Sequence, residues 1–491
     1  MLHRKIQNPL VLQIILLIAV IYCPYFLHLG NLPIHAWDEA RLVANAIEMS
    51  ENGDYLVTHF KGQPEMWNTK PPLMIWAQVI SMKIIGEEEL AFRLPSAIAG
   101  FITSLLIALL AIRYLKNFWF GFIAILILIT SEGHLGFHVT RTADYDAMLT
   151  LFMTAYSICF FLWSETGKTK YLQLFFVGVL LAVLTKSVQG LFFIPPIAIY
   201  VLITGKFKKL ISSKWLYINS VVLIAIIGGY YLGRESVNPG YLNAVYENEL
   251  GGRLLNTIEN HEAKITFYIE LLYNKQFLFY FTLAILGFFS SFAVSNTAIG
   301  RFIRFSTLLS FTYLVIISLA KTKLAWYSAP LIPMLAILAA GPVILVFELI
   351  NNQISLSKPY KSTFIKVILL VTIFIHPYFT TMDKVYKPKE TPEAWHFTLI
   401  SHFLKDAADK KYNLNNHLIY YNSYRVQLDY YVRQLNKNGV NIAFTDIDHI
   451  EPGDRVLIGI GYDKDQLRDK FNTTEIYKQD HLRILHIDSK K

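Results

Sequence analysis

Apolar runs of roughly membrane-spanning length recur from residue 9 to residue 381, each closed by a short polar segment. A helix that crosses a bilayer needs about 20 mostly apolar residues, within a range of about 17–25. By that measure the runs near 9–29, 91–112, 118–139, 147–163, 172–185, 190–204, 215–233, 277–294, 305–320, 328–349 and 364–381 predict eleven transmembrane helices. The stretch Pro72–Gly86 is apolar but short and contains Lys83, which predicts an interfacial or re-entrant helix. After residue 381 the pattern changes. Alternating stretches at His417–Tyr421, Arg455–Ile460 and Leu482–Ile487 predict strands, and Glu393–Lys410 predicts a helix. The chain thus reads as an all-α polytopic membrane domain over 1–381, with outer loops 30–90 and 234–276, followed by a small α/β domain over 382–491.

Charge gives this arrangement a direction. With the N-terminus in the cytoplasm, the cytoplasmic segments hold Arg4, Lys5, Arg113, Lys116, Lys168, Lys170, Lys206, Lys208, Lys209, Lys214, Arg301, Arg304, Lys358, Lys361 and Lys366 against the single acid Glu165. Excess Lys and Arg marks the cytoplasmic side. Residues 30–71 instead carry six acids and three bases, and residues 234–276 six acids and four bases. Counting 72–86 as a span would put Lys206–Lys209 outside. Eleven spans place the C-terminal domain on the extracytoplasmic side of the inner membrane.

Composition narrows the class further. Hydrophobic residues make up 54% of the chain and charged residues 16%, against about 25% charged in soluble domains. The net charge of +9 is a topology signal, and no basic face of a soluble domain suggests nucleic acid. Cys23 and Cys159 lie in apolar runs, which excludes a disulfide framework or thiolate metal site. The first apolar run is longer than a signal-peptide core and lacks a small-residue cleavage site, so it reads as a retained span.

On this topology Asp38, Glu39, Arg41, Lys70, Arg141, Asp144, Asp146, Lys186, Arg253, His261, Lys321 and Lys323 gather at the outer face. Ionisable residues at membrane depth are costly and mark function. Carboxylates beside cations suit acid/base work next to an anion site. Asp38 reads either as the cap of the helix that follows or as a general base. Lys70, ahead of Pro71-Pro72, reads as a snorkelling lysine or a phosphate partner. Arg141 either pairs with an acid or joins the site with Asp144 and Asp146. Lys186 is a turn lysine or a site residue, and His261 a solvated loop histidine or a ligand.

Taken in order, the motifs resemble the aminoarabinose transferase and protein O-mannosyltransferase group of membrane glycosyltransferases, which have the C-type glycosyltransferase fold. They are Asp38-Glu39-Ala-Arg41, Gly53-Asp54, Lys70-Pro71-Pro72 before Trp76, Arg93-Leu-Pro-Ser96, Arg141 five residues before Asp146, Leu184-Thr185-Lys186, Lys323-Leu-Ala-Trp-Tyr327 before Pro330 and Pro333, and Tyr430-Tyr-Val-Arg433. The resemblance implies inverting transfer from a polyprenyl-phosphate sugar to a glycolipid, polysaccharide or protein acceptor. It implies Asp38 as the catalytic carboxylate with Asp146 and Glu39 beside it. Lys70, Arg41, Lys186, Arg253 and Lys323 become candidates for the donor phosphate, and Arg141, Asp144, His261 and Tyr327 further site candidates. Two positions depart from the pattern: Thr69 stands where aminoarabinose transferases carry Glu, and Leu250 where they carry His. Of that metal set only His261 remains, with Glu249 and Glu262 near it. The reading is therefore that no metal or other cofactor is required, although a divalent cation could bind. The alternatives are a transporter or flippase of lipid-linked saccharides, which predicts repeated spans and a charged path through the bilayer, and a non-catalytic scaffold.

Overall fold

The computed structural model describes residues 9–255, 257, 261–293, 297–355, 359–459 and 461–491. Its larger part is a helical bundle. Among the described residues, seven helices are long and apolar enough to cross a membrane: Glu89–Arg113, Asp146–Thr166, Thr169–Leu191, Lys214–Val237, Ala298–Leu319, Leu331–Gln353 and Lys361–Tyr386. An eighth arises if Phe267–Gln276 and Phe279–Ala293, bent by 113° at their junction, count as one span. Shorter apolar helices sit at Val11–Phe26, Leu73–Ile85, Phe118–Ile129 and Ile194–Ile203.

The helix Leu331–Ile350 is the centre of the bundle, with fourteen buried residues from Leu331 to Phe347. Small residues let its neighbours approach. A Cβ on Gly287 would lie 1.9 Å from the Leu338 carbonyl oxygen, so glycine there allows backbone contact between two helices, as small residues do in membrane bundles. The helix expected over 118–139 stops at Ile129. Thr130 and Ser131 donate their hydroxyls back to Leu126 O (2.6 Å) and Ile127 O (2.5 Å). Such local bonds compete with helix continuation, and residues 136–145 then run as irregular backbone toward Asp146.

Leu73–Ile85 has 13 residues, about 20 Å at 1.5 Å per residue, too short for the roughly 30 Å hydrocarbon core. It packs with the helix Asp38–Asn52 in one cluster around Val43, Ala46, Met74 and Val79. Leu399, Phe403, Leu428 and Tyr431 from the C-terminal part join the same cluster.

The C-terminal part holds a five-stranded sheet in the order Ile442–Thr445, His417–Tyr420, Arg455–Ile458, Leu482–Lys490, Phe471–Gln479. The first three strands are parallel and the last two antiparallel. The strands at 442–445 and 471–479 had not been expected from the alternation. The helix Val426–Lys437 docks the sheet on the segment before Asp38–Asn52 and the loop after Leu73–Ile85. Tyr431 Oη accepts from Ile34 N (2.9 Å) and donates to Glu89 (2.7 Å), while Arg433 Nε donates to Glu87 at 3.0 Å.

Candidate active site

The helix Asp38–Asn52 begins at Asp38 itself. The capping position falls to Trp37, which makes no side-chain cap bond, so the cap reading of Asp38 is corrected. The Asp38 side chain is 53% exposed and stands where the helix N-terminus favours an anion. Trp37 takes φ +69°, a left-handed backbone that costs energy for any residue with a Cβ. Its indole stacks on Tyr424 of the C-terminal part, with ring centroids 4.4 Å apart.

Behind Asp38 lies His138. Its Nδ1 is 3.9 Å from Asp38 Oδ2 and 2.7 Å from Asp144 Oδ2. The residue also has positive φ (+63°), and its ring is held against Trp326, with centroids 3.7 Å apart. Burial by itself lowers the affinity of His138 for a proton, but the facing carboxylates of Asp144 and Asp38 outweigh it and hold the imidazole above its ordinary range. Burial also pushes Asp144 up. Both directions favour a proton shared by the pair. Asp146 starts the next helix, and both its oxygens accept from Lys186 Nζ at 2.7 Å. That ammonium lies 5.1 Å from the Tyr327 ring centre.

Glu39 turns the other way, into the protein. Its oxygens accept from Arg93 Nε (2.7 Å) and Nη2 (2.9 Å), from His35 N (2.8 Å) and from Ala143 N (2.8 Å). Arg93 and the His35 contacts outweigh burial and hold Glu39 down at about 2. The expectation that Glu39 meets substrate gives way to a positioning role: it ties the Asp38 turn to the segment carrying Asp144. Arg141 also differs from expectation. It donates to the carbonyls of Pro24 (2.9 Å) and Leu27 (2.8 Å) instead of an acid, which suits a cation at the end of a helix with unpaired carbonyls.

The expected phosphate-binding cations have internal partners. Arg41 forks onto Glu65 with two contacts of 2.8 Å, and this guanidinium holds Glu65 below the usual carboxylate range against its burial. Lys70 lies 3.1 Å from Glu249. Lys323 donates to Ala320 O at 2.7 Å. The side chain of Arg253 lies outside the described residues. His261 offers its carbonyl to Lys323 N at 2.9 Å, which brings the long loop against residues 321–327. Glu249 and Tyr327 line one small cavity with Gln189, Phe192 and Tyr313, so the surroundings of Lys70 and Lys186 meet there.

One group among the described residues has the spacing to accept a metal ion: the ligand atoms of Asp38, His138 and Asp144 lie within 4.8 Å of one another. His138 Nδ1 and Asp144 Oδ2 are buried and make no well-aligned hydrogen bond. One nitrogen and two carboxylates fit a divalent cation. Thr69 and Leu250 supply no carboxylate or imidazole at the two positions where the sequence departs from the motif pattern.

Similar proteins place this geometry. The family model for dolichyl-phosphate-mannose-protein mannosyltransferase matches residues 69–230. A protein of Aquifex aeolicus is 26% identical over 374 residues, 75% of this chain and 70% of the relative. An undecaprenyl phosphate-alpha-4-amino-4-deoxy-L-arabinose arabinosyl transferase of Edwardsiella ictaluri is 27% identical over 241 residues, 48% of this chain and 42% of its own length. The chain thus spans less than half the length of that curated transferase. ArnT from Cupriavidus metallidurans in the apo state superposes with a TM-score of 0.66 over 97% of this chain and 98% of its own, at 14% identity. With undecaprenyl phosphate bound, ArnT gives 0.64 over 96% of this chain at 15% identity. This is the C-type glycosyltransferase fold. In this C-type glycosyltransferase fold, the structure brings together Asp38, Asp144, Asp146 and Lys186 around His138 and Trp326, two residues the sequence reading passed over. His138 had been drawn inside the apolar run 118–139. A histidine near the end of such a run was the available signal.

Proposed function

We propose that the protein is an inverting glycosyltransferase that moves a sugar from a polyprenyl-phosphate donor to an acceptor hydroxyl on a glycan, glycolipid or protein. The observation that carries this reading is the half-exposed Asp38 carboxylate backed by His138, whose Nδ1 lies 3.9 Å from Asp38 and 2.7 Å from Asp144. Asp38 takes the proton of the acceptor hydroxyl as its oxygen attacks the anomeric carbon. The bond from that carbon to the phosphate oxygen breaks on the opposite face, and the carrier phosphate leaves as a stable anion. Preplaced cations lower the cost of that developing charge. Lys70 is the cation we assign to it, because its ion-pair partner among the described residues is the single carboxylate of Glu249. Lys186 holds Asp146, so its role is to position the start of that helix. The reported relatives whose names state an activity are transferases, and the flippase alternative gains no support.

The experiment supplies purified protein in lipid nanodiscs with a pool of undecaprenyl-phosphate sugars and membrane extract as acceptor, and measures released undecaprenyl phosphate by mass spectrometry. Release that needs both donor and acceptor is expected. No release from any donor in the pool would sink the transferase reading.

The reading includes eleven spans, a cytoplasmic N-terminus and an extracytoplasmic C-terminal domain in the inner membrane. A cysteine at Asn438 should react with an impermeant thiol reagent in intact spheroplasts, and one at Ser212 should not. The opposite pattern would invert the topology.

A divalent cation, were one bound, would be held by Asp38, His138 and Asp144 and would add positive charge beside the attacking acceptor oxygen. The two carboxylates that would hold it also raise the proton affinity of His138, so a proton on Nδ1 competes with a cation for the same place. Exhaustive chelation should therefore leave transfer within about twofold of the untreated enzyme, below the 10²-fold effect of losing an acid–base group. Activity that tracks measured metal content, lost and restored with it, would defeat this.

A further inference from the structure

Trp37 is the most exposed tryptophan among the described residues, at 56%. Its backbone holds it there at φ +69°, sparsely allowed for a residue with a Cβ. The indole lies nearly parallel to the Tyr424 ring, 15° between planes and 4.4 Å between centres. Tyr424 Oη donates to Trp37 O at 3.3 Å. The next residue is Asp38, whose carboxylate is half exposed. A pin between the bundle and the C-terminal part would be buried, as Tyr431 is at 2%, where it joins Ile34 N to Glu89. An indole of the membrane-interface belt would carry Asp38 toward lipid with it, an expensive place for a carboxylate. What remains is an aromatic surface open to solvent beside the proton acceptor.

Tyr424 stands in the turn 421–425, which leaves the carboxyl end of the strand His417–Tyr420. That strand is the middle one of the three parallel strands. From it the chain passes through the helix Val426–Lys437 to Ile442–Thr445 on one side. From its other neighbour, Arg455–Ile458, the chain passes through the helix Gly461–Lys470 to Phe471–Gln479 on the opposite side. Where connections leave adjacent strands in opposite directions, a crevice opens beyond the strand ends, the usual ligand position in an open α/β sheet. Here Tyr420 Oη lies 2.6 Å from Gln466 Oε1, and Asn422 Nδ2 donates to Tyr420 Oη at 2.5 Å. Asn422, Ser423 and Gln466 are exposed. Amide and hydroxyl groups thus line the crevice, and the turn that holds two of these residues also carries Tyr424 to Trp37.

We propose that the acceptor is a saccharide, one ring of which lies against the Trp37–Tyr424 pair while its further sugar units extend toward Asn422 and Gln466. This rests on the transferase reading and narrows its acceptor to the saccharide of a glycan or glycolipid. A sugar ring offers what this surface takes. One of its faces is a patch of C–H groups that packs on an aromatic side chain, and its hydroxyls point outward to amides and hydroxyls that both donate and accept. A ring seated on Trp37 holds a hydroxyl at the neighbouring Asp38 carboxylate, the orientation that displacement needs. A serine or threonine of a protein carries its hydroxyl on a short stem with no flat apolar face, and leaves the aromatic pair unused.

The test uses the full chain in lipid nanodiscs with the pool of undecaprenyl-phosphate sugars, as wild type, Trp37→Gly, Trp37→Tyr and Tyr424→Ala. Glycine removes the indole and accepts the positive φ, so the Asp38 turn keeps its shape. Tyr424→Ala removes the second ring without touching that turn, and decides alone if Trp37→Gly does not fold. Three acceptor fractions of membrane extract are compared: intact lipid-linked glycan, the saccharide released from it by mild acid, and protein. Wild type should glycosylate the first two and not the third. With released saccharide, KM should rise at least about tenfold in both ring deletions, the order expected when an aromatic anchor is truncated. Trp37→Tyr should recover part of the loss, kcat should change little, and affinity for undecaprenyl phosphate should not move. If only the intact lipid-linked glycan accepts, the same KM comparison is made on it. Unchanged KM with a lower melting temperature in both ring deletions would make the pair an interdomain pin and overturn the platform. Transfer to the protein fraction alone would overturn the saccharide assignment and leave the transferase reading standing. Contact of the saccharide C–H protons with the protein in saturation-transfer NMR, lost in both ring deletions, in a chain that transfers no sugar would sink the transferase reading and leave the saccharide platform standing.

Discussion

Replacing Asp38 by asparagine should lower sugar transfer at least about 100-fold, the lower end of what a positioned acid–base group contributes. The substitution is close to a pure charge deletion. Asp38 makes no capping bond that asparagine would have to reproduce: the helix starts at Asp38, and the turn before it is set by the backbone of Trp37. The side chain is half exposed, so melting temperature should stay within a few degrees of wild type. What changes is the proton acceptor and one of the two carboxylates facing His138. The loss should therefore appear in kcat, with binding of undecaprenyl phosphate preserved, since Lys70 is untouched. Asp38→Glu, which keeps the charge and moves it outward, should fall between the two. Asparagine activity within about threefold of wild type would remove Asp38 from the chemistry, for that is smaller than any acid–base effect.

Much of this site was legible in the sequence because its parts announce themselves one at a time. Asp38, Lys70, Asp146 and Lys186 each interrupt or border an apolar run, and a charge in that position is visible without any structure. Period and length were enough to set Leu73–Ile85 apart from the bundle helices and to foresee a sheet beyond the last apolar run. Pairing was not legible. Nothing in the spacing of Lys186 says that it closes on Asp146 forty residues away, or that Arg41 closes on Glu65. Five cations were offered to the phosphate, and the structure shows carboxylates or carbonyls already holding Arg41, Lys70, Lys186 and Lys323. Such pairs form because a charge taken out of water needs a partner, and which partner is nearest is a property of the fold.

His138 and Arg234 escaped for a related reason. Both had been counted with apolar or loop surroundings: His138 inside the run 118–139, and Arg234 among the bases of the second outer loop. The first became visible when Thr130 and Ser131 ended the helix early and released residues 136–145 to turn beneath Asp38. The second required knowing how the helix Lys214–Val237 lies against its neighbours, which buries Arg234 beside Tyr241. The capping reading of Asp38 failed by one residue, the usual uncertainty of a helix boundary, yet that residue decides whether the carboxylate is spent on the backbone or left for substrate.

The largest effect on stability should come from Arg93. Its side chain is 1% exposed and reaches three carbonyls, Leu29, Leu32 and Pro33, at 3.2, 2.8 and 2.6 Å, besides the two bonds to Glu39. The guanidinium thereby fastens the end of the first helix and the start of the Asp38 turn to the helix Glu89–Arg113. Breaking a buried pair from one side leaves the other charge uncompensated and costs about 3–5 kcal/mol. Arg93→Met should accordingly lower unfolding stability by about that much, and Glu39→Gln by a similar amount through the opposite charge. The double variant Glu39→Gln/Arg93→Met should recover part of the loss, because no lone charge remains, although the three carbonyls stay unpaired. The pH dependence follows from Glu39. Its folded value near 2 lies below the unfolded carboxylate value of about 4.3, so its stabilisation is complete above the latter and lost as pH falls toward 2. Between pH 5 and 8 the wild-type contribution of Glu39 should thus stay constant in thermal melts of the detergent-solubilised protein. In Arg93→Met burial is left to raise Glu39, so the gap to wild type should narrow as pH falls; a gap that widens on acidification would show that Glu39 is not the charge left uncompensated. A double variant worse than either single one would show that the two side chains act through separate contacts and not as a pair.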